Sequence, residues 1–198
     1  MPDLHIEINE DQLKDITTLL ANIEDGVPKV LTRAINKTAD GAKTDMVFMV
    51  REQYNYKAGA LRDRIHVKKA TYTNLKASTL SVGGPVHLTD ITGTVWKKPT
   101  GTQVDVKKST GKQKLRSAWI GKGRHSGKDI VYTRTSQVGL KRRTTPPGRY
   151  PIRALYAPHP ETIYGQDQIW KSIEYLADYT LTNALENETM ALLKGYTS

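Results

Sequence analysis

Three features of this sequence hold residues whose types and spacing could do chemistry. Asp90 is followed fifteen residues later by Asp105-Val106-Lys107. In metal-dependent nucleases an acid … acid-x-Lys arrangement holds magnesium on two carboxylates, and the lysine steadies charge on the scissile phosphate. Alternating polar residues on an edge strand give the same short string. Gly121-Lys122-Gly123-Arg124-His125-Ser126-Gly127-Lys128 invites comparison with a phosphate-binding loop. The glycine required five positions before Gly127 is Lys122, however, and Asp129 stands where a Ser or Thr should meet magnesium. A basic hairpin tip is the better reading. The five histidines, His5, His66, His87, His125 and His159, never share an H-x-x-x-H or H-E-x-x-H spacing, so no metal site is expected. The absence of cysteine excludes disulfides, a thiolate zinc site and a cysteine nucleophile together. No catalytic residue and no cofactor is assigned; an enzyme is not expected.

What remains is charge. The 198 residues carry 30 Lys+Arg and 20 Asp+Glu, for a net charge of +10. Residues 1–27 hold seven acids and one base, residues 28–160 hold 27 bases and seven acids, and residues 161–198 hold six acids and two bases. A +20 centre thus lies between ends of −6 and −4. Candidate contacts to a subunit interface or an anionic partner are Lys97, Lys98, Lys107, Lys108, Lys112, Lys114, Arg116, Lys122, Arg124, Lys128, Lys141, Arg142 and Arg143. Such a block faces an anion, an acidic neighbouring subunit or open solvent, since packing it on itself costs Coulomb energy. Trp96, Trp119, Tyr132 and Tyr150 lie among these bases, a mixture compatible with sequence-independent nucleic-acid contact. Ten Tyr and three Trp against one Phe suit half-wet interfaces more than a dry core.

The elements that must carry these residues follow from periodicity. Leu4, Ile6 and Ile8 alternate as a strand, and Asn9 with Gln12 resembles a capping box opening a helix that Gly26 ends. Residues 1–27 are therefore expected to form a strand-and-helix arm. The rest, 28–198, is expected to be a single α+β domain. Its long helix over 28–53 has Val30, Leu31, Ala34, Ile35, Thr38, Ala39, Ala42, Met46, Met49 and Val50 on one stripe. A short helix is predicted over 58–64, and strands near 65–67, 74–82, 93–97, 103–108, 116–121 and 129–134. Residues 135–166 read as loop, and a last helix begins near Asp167 with Ile169, Trp170, Ile173, Leu176, Ala177, Thr180, Ala184, Leu185 and Leu192 on its apolar face. The predicted architecture is a central antiparallel sheet packed by the two long helices, with extended basic loops. No stretch approaches the roughly 20 apolar residues of a membrane span, and the first residues, Met1-Pro2-Asp3-Leu4, are unlike a secretory signal.

Several segments carry a likeness. Leu31-Thr32-Arg33-Ala34-Ile35-Asn36-Lys37-Thr38-Ala39-Asp40-Gly41-Ala42-Lys43-Thr44 resembles the opening helix of the minor tail protein Z family of long-tailed phages and prophages. So does the stretch from Tyr54 to Ile65. Lys97-Lys98-Pro99-Thr100-Gly101 with Val104 and Val106 resembles the family's central hairpin, and Ala118-Trp119-Ile120 its next strand. Pro151-Ile152-Arg153-Ala154-Leu155-Tyr156-Ala157-Pro158-His159 resembles the segment before its last helix, with Ala157 and His159 replacing the usual Gly and Ser. The resemblance implies a structural virion protein, assembled in the bacterial host cytoplasm, that completes the tail at its head-proximal end, as a ring of copies. The implied partners are the chain itself, other tail or head–tail connector proteins, and DNA in the channel through non-specific contact; no membrane is involved. The alternatives are a sequence-independent DNA-binding protein associated with packaging and a magnesium nuclease.

Overall fold

The computed structural model describes residues 3–97, 101–123, 126–134 and 152–195, without the Lys97 side chain. In chain order, β1 (Asp3–Ile6) leads to α1 (Glu10–Leu19) and the long α2 (Gly26–Gln53). Then come α3 (Ala58–Arg62), β2 (Ile65–Lys68), β3 (Ala77–Ser81) and β4 (Val86–His87), and a 3-10 turn at Leu88–Asp90. The strands β5 (Val95–Lys97), β6 (Gly101–Val104), β7 (Gln113–Leu115), β8 (Ala118–Lys122) and β9 (Asp129–Arg134) follow. Last are β10 (Ile152–Ala154), β11 (Tyr156–Ala157), α4 (Pro160–Tyr164) and α5 (Asp167–Leu193). The class is the expected α+β, with every strand pair antiparallel. The strands are divided among four small sheets, ordered β1-β3-β2, β10-β9-β8, β11-β4 and β5-β6-β7, and not gathered into one.

The chain forms two compact units. The first comprises Met1–Val50, Leu61–Gly83 and Pro160–Ser198, the second Arg51–Ala60 and Gly84–His159. In the first unit, Asn9 caps α1 by accepting the Gln12 N–H on its side-chain oxygen at 2.8 Å, and β1 pairs with β3. The predicted α2 stripe is buried from Val30 through Val50, apart from the half-buried Met49. Ala34, Ala39 and Ala42 keep that face low, so β3 comes close enough for the Thr79 hydroxyl to donate to the Ala39 carbonyl at 3.5 Å. A side chain on Gly26 would meet Leu192 at 3.2 Å, one on Gly41 would meet Thr180 at 3.6 Å, and Arg33 lies 3.9 Å from Glu188. These three contacts run in opposite directions along the two chains, so α2 and α5 are an antiparallel pair. Gly26 opens α2 and does not close α1, which stops at Leu19.

In the second unit, residues 53–57 run between two other stretches of chain. On one side the Asn55 N–H donates to Val106 O at 3.0 Å and the Lys108 N–H to Gln53 O at 3.0 Å. On the other, the Thr92 N–H donates to Asn55 O at 2.7 Å and the Lys57 N–H to Asp90 O at 2.9 Å. Tyr56 is buried, and its hydroxyl donates to Pro158 O at 2.5 Å. Two of the segments that carry the family likeness are thereby tied together. Two loop readings are corrected. The stretch between the strands expected near 103–108 and 116–121, left to the extended basic loops, contains β7, because Gly111 turns the chain at φ +67° and sets Gln113–Leu115 beside β6. The stretch 135–166, read as loop, contains β10, β11 and α4, and Pro160 takes the first position of α4, where a missing N–H costs nothing. Residues 135–151 lie outside the described part.

Candidate interaction surface

Charge separates between the units. The first holds 12 Lys/Arg and 16 Asp/Glu, a net −4; the second holds 18 and four, a net +14. All the candidate bases fall in the second. Lys107, Lys108, Lys112, Lys114, Arg116, Lys122 and Lys128 are exposed. Lys97 ends β5, and its side chain lies outside the described part, as do Lys98, Arg124, Lys141, Arg142 and Arg143. Lys107 follows the Asn55 ladder, and its ammonium sits 5.9 Å from the Tyr54 ring centroid, within cation–π range. Lys122 meets Asp129 at 2.8 Å across the β8–β9 hairpin. Both charges are more than half exposed, so solvent screening leaves the pair little energetic weight.

The β8–β9 hairpin builds the most distinctive patch. Gly123 closes its tip by donating to Lys128 O at 2.8 Å, which fixes a register pairing Lys122 with Asp129 and Trp119 with Tyr132. Cross-strand partners share a face, and the Trp119 and Tyr132 ring centroids lie 6.2 Å apart. The Arg134 guanidinium lies 5.9 Å from the Trp119 ring. Opposite Arg134 on β10 stands Ile152, 57% exposed. Arg134 was not among the predicted contacts. Hairpin symmetry is the signal that finds it: with the tip at 123–128, residues two apart on β9 return to the face of Trp119.

The two carboxylates of the nuclease reading stand on separate stretches of chain. Residues 53–57 lie between the chain at Asp90 and the chain at Asp105, so the two backbones stand about two strand spacings, roughly 10 Å, apart. The carboxylate of Asp105 buries one oxygen that has no hydrogen-bond partner among the described residues. Asp90 lines a polar cleft of about 390 Å³ beside Lys57, Lys128 and Asp129, where the Lys57 ammonium donates to Thr89 O at 2.7 Å. Among the described residues no three His, Asp or Glu converge as metal ligands. No described helix is long and apolar enough to cross a membrane.

Segregated charge, exposed aromatics and short antiparallel sheets characterise this α+β protein. The chain matches the family described as prophage minor tail protein Z (GPZ) over residues 11–198 and belongs to that family. It is thus a phage tail structural protein, a component of the virion tail that works among other tail proteins. Comparisons with curated proteins and with solved structures found no match.

Proposed function

We propose that this protein completes the tail at its head-proximal end, joining it to the head junction as a ring of identical copies, with no enzymatic turnover. Family membership over residues 11–198 carries the reading. The charge split supports the ring, because units of −4 and +14 on one chain offer complementary faces to successive copies, and complementarity of that kind sets orientation and register. The experiment is deletion of the gene in its phage or prophage, with particles viewed by electron microscopy. Heads and tails that are made but not productively joined are expected. Normal infectious particles without the protein would overturn the reading.

A second reading has its own observation. The Trp119–Tyr132 pair with Arg134 on one sheet face suits stacking and phosphate contact, so the basic unit meets DNA during packaging or passage. Affinity for DNA that falls steeply with salt, together with empty heads in the deletion, supports this reading over the first.

A further inference from the structure

In the first unit a groove of about 420 Å³ runs between α1 and the C-terminal half of α5. Ile16 and Leu185 form its apolar floor, and Leu19, Met190 and Leu193 stand on its lips at 59%, 60% and 51% exposure. Three large apolar side chains this exposed along one groove are unlike the scattered single ones of an ordinary surface. Thr189 lines the same groove, and its buried hydroxyl has no hydrogen-bond partner among the described residues. A buried orphan hydroxyl costs free energy unless something supplies its partner. Asp15 and Glu186 also line the groove, and neither forms an ion pair among the described residues. An occupant of this groove therefore brings apolar side chains and positive charge for the rim.

We propose that the α1–α5 groove is the acceptor half of a head-to-tail contact, and that its occupant is the basic unit of a second copy of this chain. The inference rests on the assembly of like copies proposed above and names the surface through which they meet. Nucleic acid is disfavoured here, since phosphates would face Asp15 and Glu186. A second copy fits because its other unit carries 18 bases against four acids and exposes apolar residues beside them, such as Val95 on the outer strand β5. Joining unlike surfaces of identical chains is a heterologous contact, the kind that closes rings. The apolar floor supplies affinity by removing area from water, and the charged rim sets orientation.

The chain has no cysteine, so Leu19→Cys places a sole thiol on an exposed lip. A maleimide–succinimide cross-linker attached there captures lysines within reach. Equal amounts of isotopically light and heavy protein show by mass spectrometry whether a captured lysine belongs to the same or another copy. The measurement is made on concentrated protein and on intact particles, with Tyr72→Cys, an exposed site elsewhere in the first unit, as the comparison thiol. Light–heavy pairs from the Leu19 position to lysines of Arg51–Ala60 or Gly84–His159 are expected. They should fall by roughly tenfold or more when Leu193→Arg is added, since an arginine on the lip removes apolar contact, repels a basic occupant and does not react with the succinimide. An unchanged melting temperature for that variant separates lost contact from lost fold. Light–heavy pairs confined to lysines of the first unit, or made from Tyr72→Cys but not from Leu19→Cys, overturn the groove and leave assembly from copies standing. Same-copy pairs alone, from both thiols and in particles as in solution, overturn both.

Discussion

Asn36 sits in the middle of α2, where a residue that competes for backbone hydrogen bonds is a poor helix former. Its amide explains the choice: the nitrogen donates to Ala70 O at 3.1 Å and the oxygen accepts from Ala70 N at 2.8 Å, pinning the chain just after β2. Asn36→Ala leaves both backbone groups of the buried Ala70 without partners, and chemical denaturation should show a loss of about 2–3 kcal/mol. Asp45, further along α2, is partly buried, and burial pushes its carboxyl above the usual range. A group whose folded pKa is raised adds most to stability when protonated, below its unfolded pKa of about 4, and that contribution is lost as pH rises through the folded value. Asp45→Asn should therefore raise the melting temperature at neutral pH, with the gain disappearing on acidification. Glu7 behaves oppositely. The hydrogen bond and charge of Lys76, 2.9 Å away, hold its carboxyl below the usual range, so this small contribution is present above the unfolded pKa and fades as pH falls. Neither Asn36 nor Asp45 announces its role in the sequence, because each depends on what packs against α2 from elsewhere in the chain.

At the scale of elements, Gly101 opens β6 at φ +92°, and a side chain there would collide with the carbonyl oxygen of Leu115 on β7. Gly101→Ala should cost about 2–3 kcal/mol through backbone strain and the displaced strand, measured as a lowered midpoint of unfolding. On α2, Ala42 is buried in the middle of the stripe. Ala42→Asp buries an unpaired charge and should destabilise by about 3 kcal/mol or more; a near-wild-type melting curve would mean that the stripe is open to solvent. The two long helices were legible in the sequence because each repeats its apolar residues over many turns, and burial of Leu31, Ile35, Ala42 and Met46 follows that repeat. The strand 77–81 was legible too, with Ala77, Thr79 and Ser81 buried at alternate positions. What escaped was short and polar. β7 is Gln113-Lys114-Leu115, too brief for a period to register, and it exists because β6 offers it a ladder. The division into four sheets escaped for the same reason, since pairing partners are set by tertiary contacts and not by local pattern.

At the scale of the whole molecule, the sequence already showed a basic centre between acidic ends, and the fold turns that linear pattern into two units of −4 and +14. The ends meet because β1, α2 and α5 belong to one unit, which no charge count along the chain foretells. The candidate bases stood out as a block along the chain, but the place of Lys107 beside Tyr54 and of Arg134 beside the Trp119–Tyr132 pair needed the register of the strands. If copies associate through these faces, raising ionic strength should weaken the self-association seen by sedimentation. Rim charges are screened beyond ~8–10 Å in physiological buffer, while the apolar groove floor retains part of the affinity. Association that is indifferent to salt would remove charge from the account. The central claim is that this protein completes the tail at the head junction as a ring of copies, and a cryo-electron microscopy reconstruction of intact particles tests it most directly. The account predicts several copies arranged around the tail axis at the head-proximal end. Copies at the distal tip, or one copy off the axis, would contradict it.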